Sequence, residues 1–193
     1  MATLGLRKSW RICGIIFPLV YYFSNKITTV FILLPILCAF LFIEFLRFRI
    51  SRFNERLFVI FGYILKEKER KSLLTTTTFL LSVLATVVLF RKDISVIAML
   101  FLIFGDASSA IVGTYFGRTK ILNKSLEGSL AFLVTCLLIG LVTKVTNIGL
   151  PWLVIIAGAF TATITELLSL PLDDNFTIAL SSGLVMELVS RVF

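Results

Sequence analysis

The chain has 193 residues, 58% of them hydrophobic and 16% charged, with a mean hydropathy of +1.02. A soluble domain carries about 25% charged residues, so this composition excludes one and calls for an integral membrane protein. The net charge of +8 does not point to a nucleic-acid partner, because the 19 basic residues lie between apolar runs, where a topology signal puts them.

Histidine is absent, which removes imidazole acid–base chemistry and histidine metal ligation and leaves hard, oxygen-ligated ions such as Mg2+. Cys13, Cys38 and Cys136 stand singly in apolar segments, the pattern of packing residues rather than of a disulfide framework or a zinc site.

Apolar runs near the ~20 residues that cross a bilayer fall at about 9–23, 27–46, 72–90, 94–116, 127–146, 150–170 and 175–192. The expected fold is therefore all-α: a polytopic membrane helix bundle of about seven transmembrane helices, forming a single integral membrane domain over 1–193. Arg7 and Lys8 before the first run, with Arg11 inside it, resemble the start of a signal peptide, but no small-x-small cleavage site follows, so a retained first helix is expected. Residues 57–65 are too few to cross and are read as an amphipathic or re-entrant piece. Thr75 to Thr78 read as a hydroxyl-rich helix entry.

If the spans alternate, fourteen of the 19 basic residues fall on one side and five on the other. The positive-inside rule then puts the N-terminus in the cytoplasm. The loop 117–126 and the turn Asp173, Asp174, Asn175 share that cytoplasmic face. Glu166 is expected roughly 7 Å into the membrane from the same face, and Glu187 about 18 Å away toward the other, which makes it the poorer site candidate.

Residues 105–129, GDASSAIVGTYFGRTKILNKSLEGS, bring charge, glycine and hydroxyls into this hydrocarbon. Asp106, Ser109, Gly113 and Gly117 share one helical face; small residues there read as a packing stripe, but a carboxylate in an apolar span requires a partner. Arg118, Lys120 and Lys124 with the neighbouring hydroxyls suit a polyphosphate, and equally suit an ordinary positive-inside loop. Asn123 or Ser125 is expected to cap the fifth span. Asp173, Asp174 and Asn175 read either as a capping turn or as a Mg2+ platform.

This central block, followed about 45 residues later by LPLDDNFTIAL, resembles the CTP-dependent lipid-alcohol kinases: dolichol kinase, phytol kinase and CTP-dependent diacylglycerol kinase. Looser matches lie at Leu6, Arg7 and Lys8, at Glu44 and Arg47, and at Glu69. Where that family often has a histidine, three residues after its Arg-Lys pair, this chain has Arg11, and no histidine role carries over.

The resemblance implies a multi-pass membrane kinase, its active site facing the cytoplasm, that transfers the γ-phosphoryl group of CTP to the hydroxyl of a bilayer lipid alcohol with Mg2+ and releases CDP. It implies Gly117, Arg118, Lys120, Lys124, Ser125, Gly128 and Asn175 at the nucleotide. Asp106, Asp173 and Asp174 would surround the metal, with Asp106 or Glu127 as the base; Glu127 also reads as a first-turn helix acid. The block resembles phosphatidate cytidylyltransferases as well, whose histidine-containing C-terminal signature is missing here. A third reading is a small transporter with Asp106, Glu166 and Glu187 along a polar path.

Overall fold

Backbone groups in hydrocarbon must find partners within their own segment, which a helix provides. A computed structural model describes residues 13–63, 65, 67–122, 124–146, 148–168 and 173–192, and these are mostly helical. The basic residues Arg7, Lys8 and Arg11, the alternative cap Asn123, and Pro171 lie outside the described residues.

A short turn at Cys13–Ile15 leads into α1 (Ile16–Phe23), followed by α2 (Lys26–Arg49) and α3 (Ser51–Phe61). Next come α4 (Thr75–Leu89) and α5 (Lys92–Leu100), which passes through a π-helical turn, Phe101–Gly105, into α6 (Asp106–Tyr115). Strands β1 (Lys120–Ile121) and β2 (Lys124–Ser125) pair as an antiparallel hairpin before α7 (Leu126–Val145), α8 (Trp152–Leu168) and α9 (Asp174–Ser190).

Among the described residues, three helical stretches are long and apolar enough to cross a membrane: α2, the continuous run Lys92–Tyr115, and α7. Helices also occupy the other expected stretches but are shorter. The 17 residues of α8 or α9 rise about 26 Å, against a hydrocarbon core of about 30 Å. The amphipathic piece expected at 57–65 is instead α3, which begins at Ser51 because extended Ile50 breaks the chain from α2.

Hydrogen bonds sort the helix ends into two groups. At one end, the Tyr22 hydroxyl donates to the Thr146 carbonyl at 3.0 Å and the Lys92 amine to the Ser24 carbonyl at 2.7 Å. Lys26 reaches the Val88 carbonyl, and Glu187 lies 3.8 Å from Arg91. This end therefore collects the starts of α2 and α5 and the finishes of α1, α4, α7 and α9, so α1, α2, α4, the continuous α5–α6 run and α7 alternate in direction. Between the two ends lies one continuous core that includes Ile97, Phe101, Phe132, Ile155 and Met186. Cys136 packs inside it as expected, whereas Cys13 and Cys38 are exposed.

The opposite end is tied by a buried polar knot. Arg47, 1% exposed, donates to Glu44, to the Ser72 carbonyl and, at 2.8 Å, to the Glu69 carbonyl. Glu44 in turn accepts from the Leu74 amide at 2.6 Å and the Thr77 hydroxyl at 3.0 Å. Thr75 donates to Glu69. The threonines at the entry of α4 are thus the fastening of the 62–74 loop to α2.

Removing one member of a buried ion pair leaves its partner charged and unpaired, at a cost of about 3–5 kcal/mol. Glu44→Ala is expected to lower the thermal unfolding midpoint in detergent accordingly, and Glu44→Gln by less; an unchanged midpoint for Glu44→Ala would remove the knot from the account of stability.

Candidate functional site

The site is built where α6, the hairpin, α7, α8 and α9 meet at the end away from Glu187. The π-helical turn just before Asp106 inserts an extra residue into the helix, a feature frequent at functional sites. It is held by a close approach: a Cβ on Gly105 would lie 2.7 Å from the Phe132 ring. Beyond it, the small-residue face seen in the sequence packs as a stripe. A Cβ on Gly117 would meet the Gly113 carbonyl at 2.3 Å and Ser125 at 2.8 Å, and one on Gly128 would meet the Ser109 carbonyl at 2.9 Å. Small side chains let α6 and α7 approach closely enough for the polar groups to meet.

The loop 117–126 folds as the hairpin, closed at its base by the Leu126 amide donating to the Thr119 carbonyl at 2.9 Å. Glu127 accepts from the Thr119 amide at 3.0 Å, so its carboxylate pins the hairpin to the first turn of α7. Ser125 caps α7, accepting from the Gly128 amide at 3.1 Å, and that amide is thereby engaged within the helix start.

Lys124 points inward. Its amine donates to Glu166 at 2.9 Å and to Asp174 at 3.0 Å, joining the hairpin to the finish of α8 and the start of α9. Glu166 is 1% exposed and also accepts from the Ser109 hydroxyl on one oxygen and the Ser129 hydroxyl on the other, each at 2.8 Å. A buried carboxylate is tolerable with this full set of partners. Burial works against the charge on Lys124, but the hydrogen bond and charge of Glu166, with Asp174 adding to them, outweigh it and raise the ammonium above its ordinary pKa.

The remaining sequence candidates are placed as follows. Asp106 is half-buried in the first turn of α6, one turn before Ser109. Asp173 caps α9, accepting from the Asn175 amide at 3.0 Å and its side-chain nitrogen at 2.7 Å, while the Asn175 carbonyl accepts from Ser82 at 2.7 Å. Arg118 and Lys120 are exposed on the hairpin. The structure thus brings Lys124 and Asp174 into direct contact and turns Asp173 and Asn175 toward each other.

Among the described residues no three acidic or cysteine side chains converge as a ready metal cage. Mg2+ needs less, since one or two carboxylates with substrate phosphates commonly hold it. Asp174, one-third exposed beside Asp173, fits such a partial donor set.

Glu166 is the residue that sequence reasoning placed near this face and on the polar path of a transporter, but not in the kinase site. Its signal was present: it is the one acid in its apolar run, and an acid there needs a named partner. That partner, Lys124, lies 42 residues away.

The folded pKa of Lys124 exceeds its unfolded value. The stabilisation from this pair is therefore complete below the ordinary lysine pKa of about 10.4 and is lost only as pH rises through the folded value. Lys124→Met should show a constant deficit in unfolding midpoint across neutral pH that shrinks at strongly alkaline pH. A deficit that vanishes near neutrality would contradict the pairing.

No protein-family model and no solved structure matches the chain. It is 24% identical over 204 residues to the CTP-dependent diacylglycerol kinase 1 of Saccharomyces cerevisiae, covering 92% of this chain and 70% of that protein. It is 30% identical over 181 residues to the uncharacterized protein RP860 of Rickettsia prowazekii, covering 91% of this chain and 89% of that one. At that identity and coverage, the chain belongs to the same family as the Rickettsia protein.

Proposed function

We propose that the protein is a CTP-dependent kinase that phosphorylates the hydroxyl of a membrane lipid alcohol of the polyprenol, phytol or diacylglycerol type. The observation that carries this reading is the convergence of two helix N-termini, those of α7 and α9, on the Lys124 amine, which is held between Glu166 and Asp174. Helix N-termini attract anions, and a partly buried cation at their meeting point adds a positive charge that suits a phosphate. The distant likeness to the yeast diacylglycerol kinase supports a lipid as acceptor and CTP as donor.

In this reading Lys124 meets the phosphates, with Arg118 and Lys120 at the rim and Gly117 giving the nucleotide close access to backbone. Asp174, with Asp173, would hold Mg2+, which when bound neutralises charge on the phosphates. Glu127 is occupied with Thr119, so the base is assigned to Asp106. The lipid oxygen bonds to the γ-phosphorus, the bond from that phosphorus to the β–γ bridging oxygen breaks, the hydroxyl proton passes to Asp106, and CDP leaves. Such a transfer rests on positioning and electrostatics, which a chain without histidine can supply. In this reading α1, α2, α4, the continuous α5–α6 run, α7, α8 and α9 are the seven crossings, with the basic loops and the site facing the cytoplasm.

The test uses purified protein in lipid with CTP labelled at either the γ or the α phosphorus, Mg2+, and phytol, dolichol, diacylglycerol or phosphatidate as acceptor. Label passing from the γ position to an alcohol is expected. Label from the α position appearing on phosphatidate would replace this reading with a cytidylyltransferase. Asp106→Asn is expected to reduce kcat by about 10²–10⁴-fold, the usual worth of a positioned base, with an unchanged unfolding midpoint.

A further inference from the structure

The hairpin carries a feature that phosphate binding does not use. Leu122 at its turn has a φ of 56°, and among the described residues it is the one with a left-handed backbone. Turns joining paired strands this closely favour asparagine, aspartate or glycine at such positions, and a bulky side chain resists the conformation. Packing within the chain does not compensate, because Leu122 is 68% exposed. Ile121 beside it is exposed too.

The surroundings of this tip are also apolar. Phe116 follows α6 at 68% exposure, and Leu126 begins α7. From Leu126 an exposed stripe continues down α7 through Leu130, Val134 and Leu138, on a helix long and apolar enough to cross a membrane. The spacing of four residues keeps that stripe on one face. Exposed Arg118 and Lys120 flank the tip, opposite in charge to lipid phosphates. Apolar groups below and cations above are the composition of a segment lying at the headgroup boundary.

We infer that the hairpin tip is a lipid-docking wedge: Ile121 and Leu122, continuous with Phe116 and the α7 stripe, sit in the boundary between headgroups and acyl chains of the host bilayer, while Arg118 and Lys120 meet lipid phosphates. The occupant is bilayer phospholipid. Burial in that layer supplies the compensation for the left-handed leucine that the protein interior does not. Lys124, two residues beyond the tip, is thereby held at a fixed depth relative to the membrane surface. The inference does not depend on the kinase reading and survives its failure.

The experiment places a single tryptophan at the tip. Leu122→Trp is made in the full chain with Trp10 and Trp152 replaced by Phe and reconstituted in vesicles of phosphatidylcholine and phosphatidylglycerol. The wedge predicts blue-shifted emission, strong quenching by phospholipid brominated on the acyl chain near the carbonyl, and little quenching by iodide. Iodide quenching without bromolipid quenching puts the tip in water and overturns the inference.

Leu122→Gly provides a second measurement. It relieves the backbone, so its unfolding midpoint in detergent is expected to equal or exceed that of the unaltered protein, while the stabilisation gained on transfer to the vesicles is reduced. A lower midpoint in detergent with the vesicle stabilisation intact would make Leu122 a structural residue of the hairpin and would likewise overturn the wedge.

Discussion

The carboxylate of Glu166 lies almost wholly out of solvent in the finish of α8, where a lone negative charge is strongly disfavoured. The polar groups that α6, α7, the hairpin and the start of α9 bring to this end are arranged around satisfying it. Ser109 comes from α6, Ser129 from α7 and Lys124 from the hairpin, and Lys124 passes the connection on to Asp174 at the start of α9. None of these elements can shift far without leaving a charge or a hydroxyl unpaired. The glycine stripe serves the same end, since side chains at Gly113, Gly117 or Gly128 would hold the helices too far apart for the hydrogen bonds to form.

The two ends of the bundle are stabilised by different means. At the end near Glu187, lysines that begin α2 and α5 donate to carbonyls of neighbouring chain segments, so cations satisfy acceptors at the finishes of other helices. At the opposite end, Glu44 and Arg47 form a buried pair whose remaining hydrogen bonds go mainly to the 62–74 loop and the entry of α4, with one from Arg47 to Asn54 on α3. That loop is therefore fixed by α2 without drawing on the Glu166 cluster. The candidate site sits among α6 to α9, on a part of the bundle that has its own polar anchor.

Several residues open to either a structural or a functional reading in the sequence take the structural one and serve the site through it. Ser125 caps α7, Asp173 caps α9, and Glu127 holds the hairpin base. Each commits a group that would otherwise face a ligand, Asp173 through one of its two carboxylate oxygens. What stays at the meeting point is narrower: the Lys124 amine and the partly exposed Asp174, with Asp106 half-buried one turn before Ser109 and Arg118 and Lys120 outside on the hairpin.

How much was legible follows from the range of each interaction. Apolar run length, the small-residue face of α6 and the cap at Ser125 are local or periodic properties, and the amino-acid sequence determined them; the alternation of spans put the 117–126 loop and the Asp173 turn on one face, but their contact through Lys124 and Asp174 is tertiary. The lengths of the helices were less legible, because hydropathy continues past the residue where a cap or an extended position such as Ile50 ends the helix. The role of Glu166 was decided by tertiary structure alone. Its partners lie 37, 42 and 57 residues away, and no periodicity links an acid on α8 to an amine on the hairpin and hydroxyls on two other helices. The left-handed Leu122 likewise had no signature in a stretch without glycine at the turn, since only the pairing of Ile121 with Lys124 forces the chain to reverse there.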